Sequence, residues 1–271
     1  MKQPEVSVVL AVYNEDRLQE CLATLAKQTG VAYEVIVVDD GSINRIKKQE
    51  LKIKDKKFRF FRIKHSGPAK ARNFGAKKAR GKILVFLDGD MKFPKNFLNK
   101  LSQPIRQKKA KGTFSTEELV ANWENVWSRC WNWENRLPDG RRIDPNRVDM
   151  VKDFRAILKS EFEKVDGFED IGYTDTWTLA KKLGYRPFPV KVKHWHYNPE
   201  TLNEVFRQAV WIGGRKRRWG VLGKIIALFR AAMPVSIVFG LAIGVVKREP
   251  KFLLFKVVYD LGIFTGIIGS L

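Results

Sequence analysis

Five consecutive apolar side chains, Ile83 to Leu87, followed at once by Asp88-Gly89-Asp90, constrain this chain more than any other stretch. A run that short and unbroken, introduced by Gly81, reads as a strand buried on both faces of a parallel sheet. Such a strand cannot carry charge along its length, so Asp88 and Asp90 must lie just past its carboxyl end. That is where ligands bind in open α/β sheets. Gly89 sets the two carboxylates one residue apart on a bend. Hard oxygen ligands so placed suit Mg²⁺ or Mn²⁺, which take one or two carboxylates together with substrate phosphates. An isolated Asp-x-Asp is as readily a solvated turn, and the rest of the chain has to decide.

The same pattern opens the chain. Val6 to Val12 is an apolar run with Tyr13-Asn14-Glu15 at its tip, and Tyr33 to Val38 is another, ending in Asp39-Asp40-Gly41-Ser42. Between them Leu18, Cys21, Leu22 and Leu25 recur at helical spacing, so a helix is expected from about Arg17 to Gln28, capped by Asp16 and stopped by Gly30. Strand, helix, strand is a βαβ unit, which makes the sheet parallel and the crossover right-handed. Residues 43–57 read as a polar, Lys-rich helix or loop. Phe58 to Ile63 reads as a third strand, and Ala69 to Ala79 as a helix after the Gly67-Pro68 break. Lys70, Arg72 and Asn73 in its first turns, with the positive end of the helix dipole, suit a phosphate. Two acidic strand ends and one basic helix start thus converge on one edge, carboxylates toward base, ribose and metal, cations toward a diphosphate.

Four stretches in order carry a resemblance: Val8-Val9-Leu10-Ala11-Val12-Tyr13-Asn14-Glu15, Val37-Val38-Asp39-Asp40-Gly41-Ser42, Ala71-Arg72-Asn73-Phe74-Gly75-Ala76 and Phe86-Leu87-Asp88-Gly89-Asp90. Together they resemble the successive motifs of the family-2 inverting glycosyltransferases, closely over residues 5–95 and loosely over 150–200. The resemblance implies an α/β fold of the GT-A kind, a Rossmann-like, mostly parallel sheet with flanking helices. It also implies a nucleoside-diphosphate sugar donor and a Mn²⁺ or Mg²⁺ cofactor. The residues it assigns to the donor are Ala11, Tyr13, Glu15, Asp40, Pro68, Arg72, Asp88, Gly89 and Asp90. Of these, Asp88 would lie by the ribose and metal, and Asp90 would hold the metal on the diphosphate.

Farther along, Trp123, Trp127 and Trp131 fall at a spacing of four and make one face of a helix starting near Thr116, with Trp133 off the stripe. That face is either core or an acceptor platform of indole rings. Val151 to Leu158 reads as a strand bearing Arg155, followed by a helix over Lys159–Val165. Gly167-Phe168-Glu169-Asp170 resembles the family's acceptor-side element. Where the family places an acidic pair containing the catalytic base, this chain has Thr174-Asp175-Thr176, so Asp175 is the first candidate for the base and Asp170 the second. Asp175 capping the following helix is the alternative, and compatible, reading. Val190 to Trp195 is a last strand leading into His196, which in many family members returns to the metal or diphosphate. His194 is placed on the opposite face of that strand, and His65 in a loop.

Glu204 to Trp219 reads as a helix rich in Arg and Lys, and the composition then changes. Ile225 to Val246 contains only Arg230 as a charge, and Phe252 to Leu271 only Lys256 and Asp260. A single spanning helix needs about 20 apolar residues, so these segments are expected to form a C-terminal apolar helical hairpin at the cytoplasmic face of the cell membrane. Gly240 and Gly244, with Gly262, Gly266 and Gly269, would let its two helices pack closely. A soluble hairpin or dimer interface is the other option. The expected division is 1–205 for the transferase domain and 206–271 for a basic helix and the membrane-associated helices.

The net charge of +22 calls for anionic partners, with membrane lipids and a phosphorylated donor both qualifying. The acceptor would be a carbohydrate or a lipid-linked molecule. A non-catalytic basic membrane- or nucleic-acid-binding protein on the same fold is the rival. Nucleic acid, however, gives no reason for acidic pairs at two strand ends, where they would repel phosphate. No nucleic-acid partner is expected. A dinucleotide-dependent oxidoreductase lacks its Gly-x-Gly-x-x-Gly after the first strand. Cys21 and Cys130 show no metal-ligand spacing.

Overall fold

The computed structural model describes residues 3–44, 46, 55–172, 175–217 and 219–270. The strands are β1 (Val6–Val12), β2 (Tyr33–Asp39), β3 (Phe58–Arg62), β4 (Ile83–Leu87), β5 (Met91–Lys92), β6 (Gly112–Val120), β7 (Ala156–Leu158) and β8 (Phe188–His196). They form one sheet in the order β3-β2-β1-β4-β7-β6-β8-β5. Pairing is parallel from β3 through β4, as βαβ connections require, and antiparallel for β4–β7, β7–β6 and β5–β8. The register sets Val12 beside Asp39 and Leu10 beside Leu87. The carboxyl ends of β1, β2 and β4 therefore finish level.

The helices of this first unit are α1 (Leu18–Ala26), α2 (Pro68–Lys78), α3 (Phe97–Arg106), α5 (Lys159–Lys164) and α6 (Thr178–Leu183), with α4 (Val126–Glu134) in the second. Alternation along β1 feeds two cores. Val6, Val8, Leu10 and Val12 pack with α1 and α3, while Val9 packs with α2, α5 and α6. A Cβ on Gly75 of α2 would collide with Val9, so only a bare backbone lets that helix lie this close to the sheet.

Several sequence expectations are corrected. α1 starts at Leu18 without a side-chain cap from Asp16; it is Glu15 whose carboxylate accepts from the Arg17 amide, at 2.9 Å. The helix expected from Thr116 is the strand β6 as far as Val120, and α4 starts only at Val126 behind an Asn125 cap. Trp123 thus precedes the helix and meets Trp133 edge-on at 6.3 Å. The strand expected from Val151 is confined to Ala156–Leu158. Residues 45 and 47–54 of the Lys-rich segment lie outside the described residues.

Two compact units are distinguished: Met1–Leu119, Ile143–Asp170 and Asp175–His196 in one, and Val120–Arg142, Ile171–Thr174 and Tyr197–Leu271 in the other. The second is built from α4, α7 (Leu202–Gly213), α8 (Gly220–Arg230), α9 (Met233–Val246) and α10 (Lys251–Ile268). Its core holds Cys130, Trp131, Val205, Phe252 and Phe255. Gly262 and Gly266 of α10 face α7 rather than the hairpin partner, because a Cβ on either would strike Ala209 or the Val210 carbonyl. Gly240 does face α10, within 2.9 Å of Leu253 for an added Cβ.

The apolar run expected over Ile225–Val246 is broken. α8 ends at Arg230, Ala232 is extended before Pro234, and α9 leaves at 60°. Among the described residues no single helix is long and apolar enough to cross a membrane, though α8 and α9 together meet the length and composition. In α10, Lys256 reaches Glu134 at 2.8 Å and Asp260 at 3.0 Å, and Ser236 donates to Asp260 at 2.6 Å.

Candidate active site

The site lies in the first unit, at the level ends of β1, β2 and β4. Past β1 the chain turns through Asn14 in the left-handed region, φ 48°. The Asn14 amide donates to Ser42 Oγ at 2.9 Å and its side chain accepts from the Ile43 amide at 2.8 Å, tying the tips of β1 and β2 together. The turn leaves Tyr13 projecting, 47% exposed, with its ring stacked on His65 at 4.2 Å. The result is a small aromatic ledge. His65, read from sequence as a plain loop residue, is half of it.

Asp40 is buried, and its two oxygens accept from the amides of Ser66 and Gly67, each at 2.9 Å. The carboxylate therefore shapes the loop that starts α2, where Gly67 sits at φ 90° and Pro68 opens the helix. Gly41, φ 77°, has no room for a side chain because a Cβ would fall 2.7 Å from the His65 amide nitrogen.

One turn into α2, Arg72 behaves differently from a phosphate ligand. Its Nη1 donates to both oxygens of Asp175, at 3.1 and 2.9 Å, and its Nη2 donates to Asp88 Oδ1 at 2.9 Å. Asn73 beside it donates to the Phe168 carbonyl and accepts from the Phe168 amide, pinning the Gly167–Asp170 element to α2. Lys70 pairs with Asp170 at 3.2 Å, both side chains well exposed. Of the two candidate bases, then, Asp175 is brought into the cluster and Asp170 remains at an exposed pair.

From Asp88 the cluster continues in alternating sign. Asp88 Oδ2 meets Arg155 at 3.3 Å, and Arg155 reaches Glu118 at 3.3 Å. Glu118 Oε1 accepts from His196 Nδ1 at 2.7 Å, and His196 Nε2 faces Asp90 Oδ1 at 3.1 Å. His194 does not point away from this group. Side chains two apart on a strand share a face, and its Nε2 lies 3.5 Å from Glu118. Glu118 and the role of Arg155 are absent from the sequence reading. The first falls in a stretch read as helix, although Thr113, Phe114 and Thr116 favour a strand.

Electrostatics follow the geometry. Burial opposes ionisation of Asp88, but the guanidinium of Arg72 and then that of Arg155 outweigh it and hold the carboxyl well below its usual range. Asp175 goes the other way: burial raises it, and Arg72 only partly compensates. Glu15 is pushed up to about 7, by burial first and the Asp90 charge second. It lies under Gly89, where a Cβ would come within 3.0 Å of Glu15 Cγ.

For the divalent ion, Asp90 and His196 converge on one point and fit a cation that takes its other ligands from phosphates. Asp88 does not fit as a ligand in this arrangement, since both of its oxygens are turned to guanidinium groups. Among the described residues no three His, Cys, Asp or Glu side chains form a complete cage.

The model for glycosyl transferase family 2 matches residues 7–165. The chain belongs to glycosyl transferase family 2. An uncharacterized glycosyltransferase of Rickettsia bellii is 38% identical over 109 residues, 39% of this chain and 15% of that protein. Glycosyltransferase AglE of Haloferax volcanii is 40% identical over 93 residues, 32% of this chain and 31% of that one. The chain thus spans well under half the length of these relatives. Among solved structures, TarS 1-349 of S. aureus superposes with a TM-score of 0.55 at 17% identity, covering 98% of this chain and 90% of that one. Its complex with UDP-GlcNAc gives 0.56. At that identity the likeness establishes the fold, which is GT-A: a mixed sheet with flanking helices.

Proposed function

We propose that this chain transfers a sugar, with inversion, from a UDP- or GDP-linked donor to a hydroxyl or lipid-phosphate acceptor at a membrane surface, with Mn²⁺ or Mg²⁺ bound. The observation that carries the reading is the gathering of Asp88, Asp90, Asp175 and His196 through Arg72, Arg155 and Glu118. TarS, of the same fold, has been solved with UDP and with UDP-GlcNAc, which favours a donor of that class here.

In this reading the Tyr13–His65 ledge receives the nucleobase, with Ala11, Glu15, Asp40 and Pro68 around the nucleoside and Gly89 keeping the floor open. Asp90 and His196 would hold the ion on the diphosphate. The ion, when bound, supplies positive charge against the negative charge gathering on the leaving group. Asp175 receives the proton of the acceptor hydroxyl as that oxygen attacks the anomeric carbon. Arg72 orients Asp175 and, through Asp88, links it to the donor side. A lipid phosphate is already an anion and would not need Asp175 at all. Asp170 is the reserve base, at the exposed pair with Lys70.

Residues 1–205 would carry the chemistry and 206–271 the attachment. The support for attachment is an exposed apolar face on α8, with Val221, Leu222, Ile225 and Phe229 all more than half exposed, beside the basic Arg215, Lys216 and Arg217. The 60° bend and the charged network of α10 favour helices lying on the membrane over helices crossing it. Thermal shift tests the function: stabilisation by UDP or GDP that deepens with Mn²⁺, and none by an oligonucleotide. Stabilisation by the oligonucleotide alone would sink the reading.

A further inference from the structure

We propose that Glu118 is a positioning residue for the cation seat: it fixes the His196 ring so that Nε2 and Asp90 converge, and Arg155 couples it to Asp88. The inference rests on the metal-dependent reading above and gives Glu118, there only a link in the cluster, a role of its own.

The argument starts from donor and acceptor types. An ionised carboxylate only accepts hydrogen bonds, and a neutral imidazole has one N–H. Glu118 Oε1 lies 2.7 Å from His196 Nδ1, so the hydrogen belongs on Nδ1. In the ion-free structure Nε2 lies 3.1 Å from Asp90 Oδ1, where the second hydrogen of an imidazolium bridges the two; a divalent ion would replace that hydrogen and take the Nε2 lone pair. A lone pair and a carboxylate converging on one point are what a divalent ion takes, and a carboxylate behind a ligating histidine fixes its tautomer and raises its basicity. Nothing in the backbone of β8 alone would choose this tautomer.

Glu118 is suited to the part because it is itself immobilised. It is buried, and Arg155 donates to both of its oxygens at 3.4 and 3.3 Å. His194, fully buried two residues before His196, closes the other side of the same carboxylate at 3.5 Å. Arg155 spans from Glu118 to Asp88, so the seat and the Asp88–Arg72–Asp175 group share one arginine.

The test compares the wild-type chain with Glu118→Gln, Asp90→Ala and His196→Ala. Free Mn²⁺ is followed by electron paramagnetic resonance with and without UDP. Glu118→Gln should weaken Mn²⁺ binding ten- to a hundredfold, the range for partners behind a ligand. UDP binding without metal should stay within about twofold of wild type, a split that a merely structural defect would not give. If Asp90→Ala and His196→Ala lose Mn²⁺ while Glu118→Gln keeps it, Glu118 has no such role and the seat stands. Absence of Mn²⁺ binding by the wild type would remove the seat and this inference together.

A second measurement needs no variant. In the wild type loaded with Mg²⁺ and UDP at pH 8, nitrogen-15 spectra should place the His196 hydrogen on Nδ1. A hydrogen on Nε2 would overturn the proposal even if Glu118→Gln fails to fold.

Discussion

Asp175 carries the proton in the proposed chemistry, and its surroundings set how it should respond to substitution and to pH. Asp175→Asn keeps the shape and removes the base, so transfer to a hydroxyl acceptor should drop by about 10²–10⁴ in kcat, while Asp170→Asn stays near wild type. Loss in the second variant alone would move the base to Asp170. Since burial raises Asp175, the acid limb of kcat/KM against pH should lie above the ordinary aspartate value near 3.9. Glu15 is the more sensitive site for stability. Its carboxyl holds a proton more tightly folded than unfolded, so the protein loses stability as pH rises from 4.5 toward 7 and levels off beyond. Glu15→Gln should flatten that decline and gain on the order of 1–3 kcal/mol at pH 8, read from denaturant unfolding across the range. Glu15, Asp40, Asp88 and Asp90 are legible in the sequence because each follows an apolar run, whereas Asp170 and Asp175 are placed by the family resemblance. Glu118 and His65 are not legible there, because their importance comes from what lies opposite, which no local pattern records.

Among the elements, the parallel half of the sheet could be read almost residue by residue, since strands buried on both faces have no other composition. The antiparallel half is legible only in part, Val190 to Trp195 falling within β8. β6 carries Glu117 and Glu118 near its end, where the sequence reads as the start of a helix, and β7 keeps only the last three residues of the strand expected from Val151. In the C-terminal helices Gly240 does face α10, but the glycines of α10 turn elsewhere, because small residues announce close packing without saying against what. α10 lays Gly262 and Gly266 on α7. Gly266→Ala forces a methyl group onto the Val210 carbonyl and should cost about 1–3 kcal/mol, measured as a lowered melting temperature. The same change at Gly140, where nothing lies within 4 Å of an added Cβ but φ is 71°, should act through backbone strain alone.

At the scale of the whole chain, charge and exposed apolar surface act together. Flotation with vesicles should show binding to anionic but not to neutral bilayers, and 0.5 M salt should release it. Removing two cations, Arg215→Ala with Lys216→Ala, should weaken partitioning about thirtyfold, at about 1 kcal/mol each. Binding that ignores both salt and these substitutions would point to apolar contact only. One earlier detail bears on how sparingly such an enzyme would use its donor. With Arg72 gripping both oxygens of Asp175, a stray water reaching the anomeric carbon meets an acid group already occupied. On the proposed reading, wasteful breakdown of the activated sugar should stay slow until the true recipient arrives and loosens that grip.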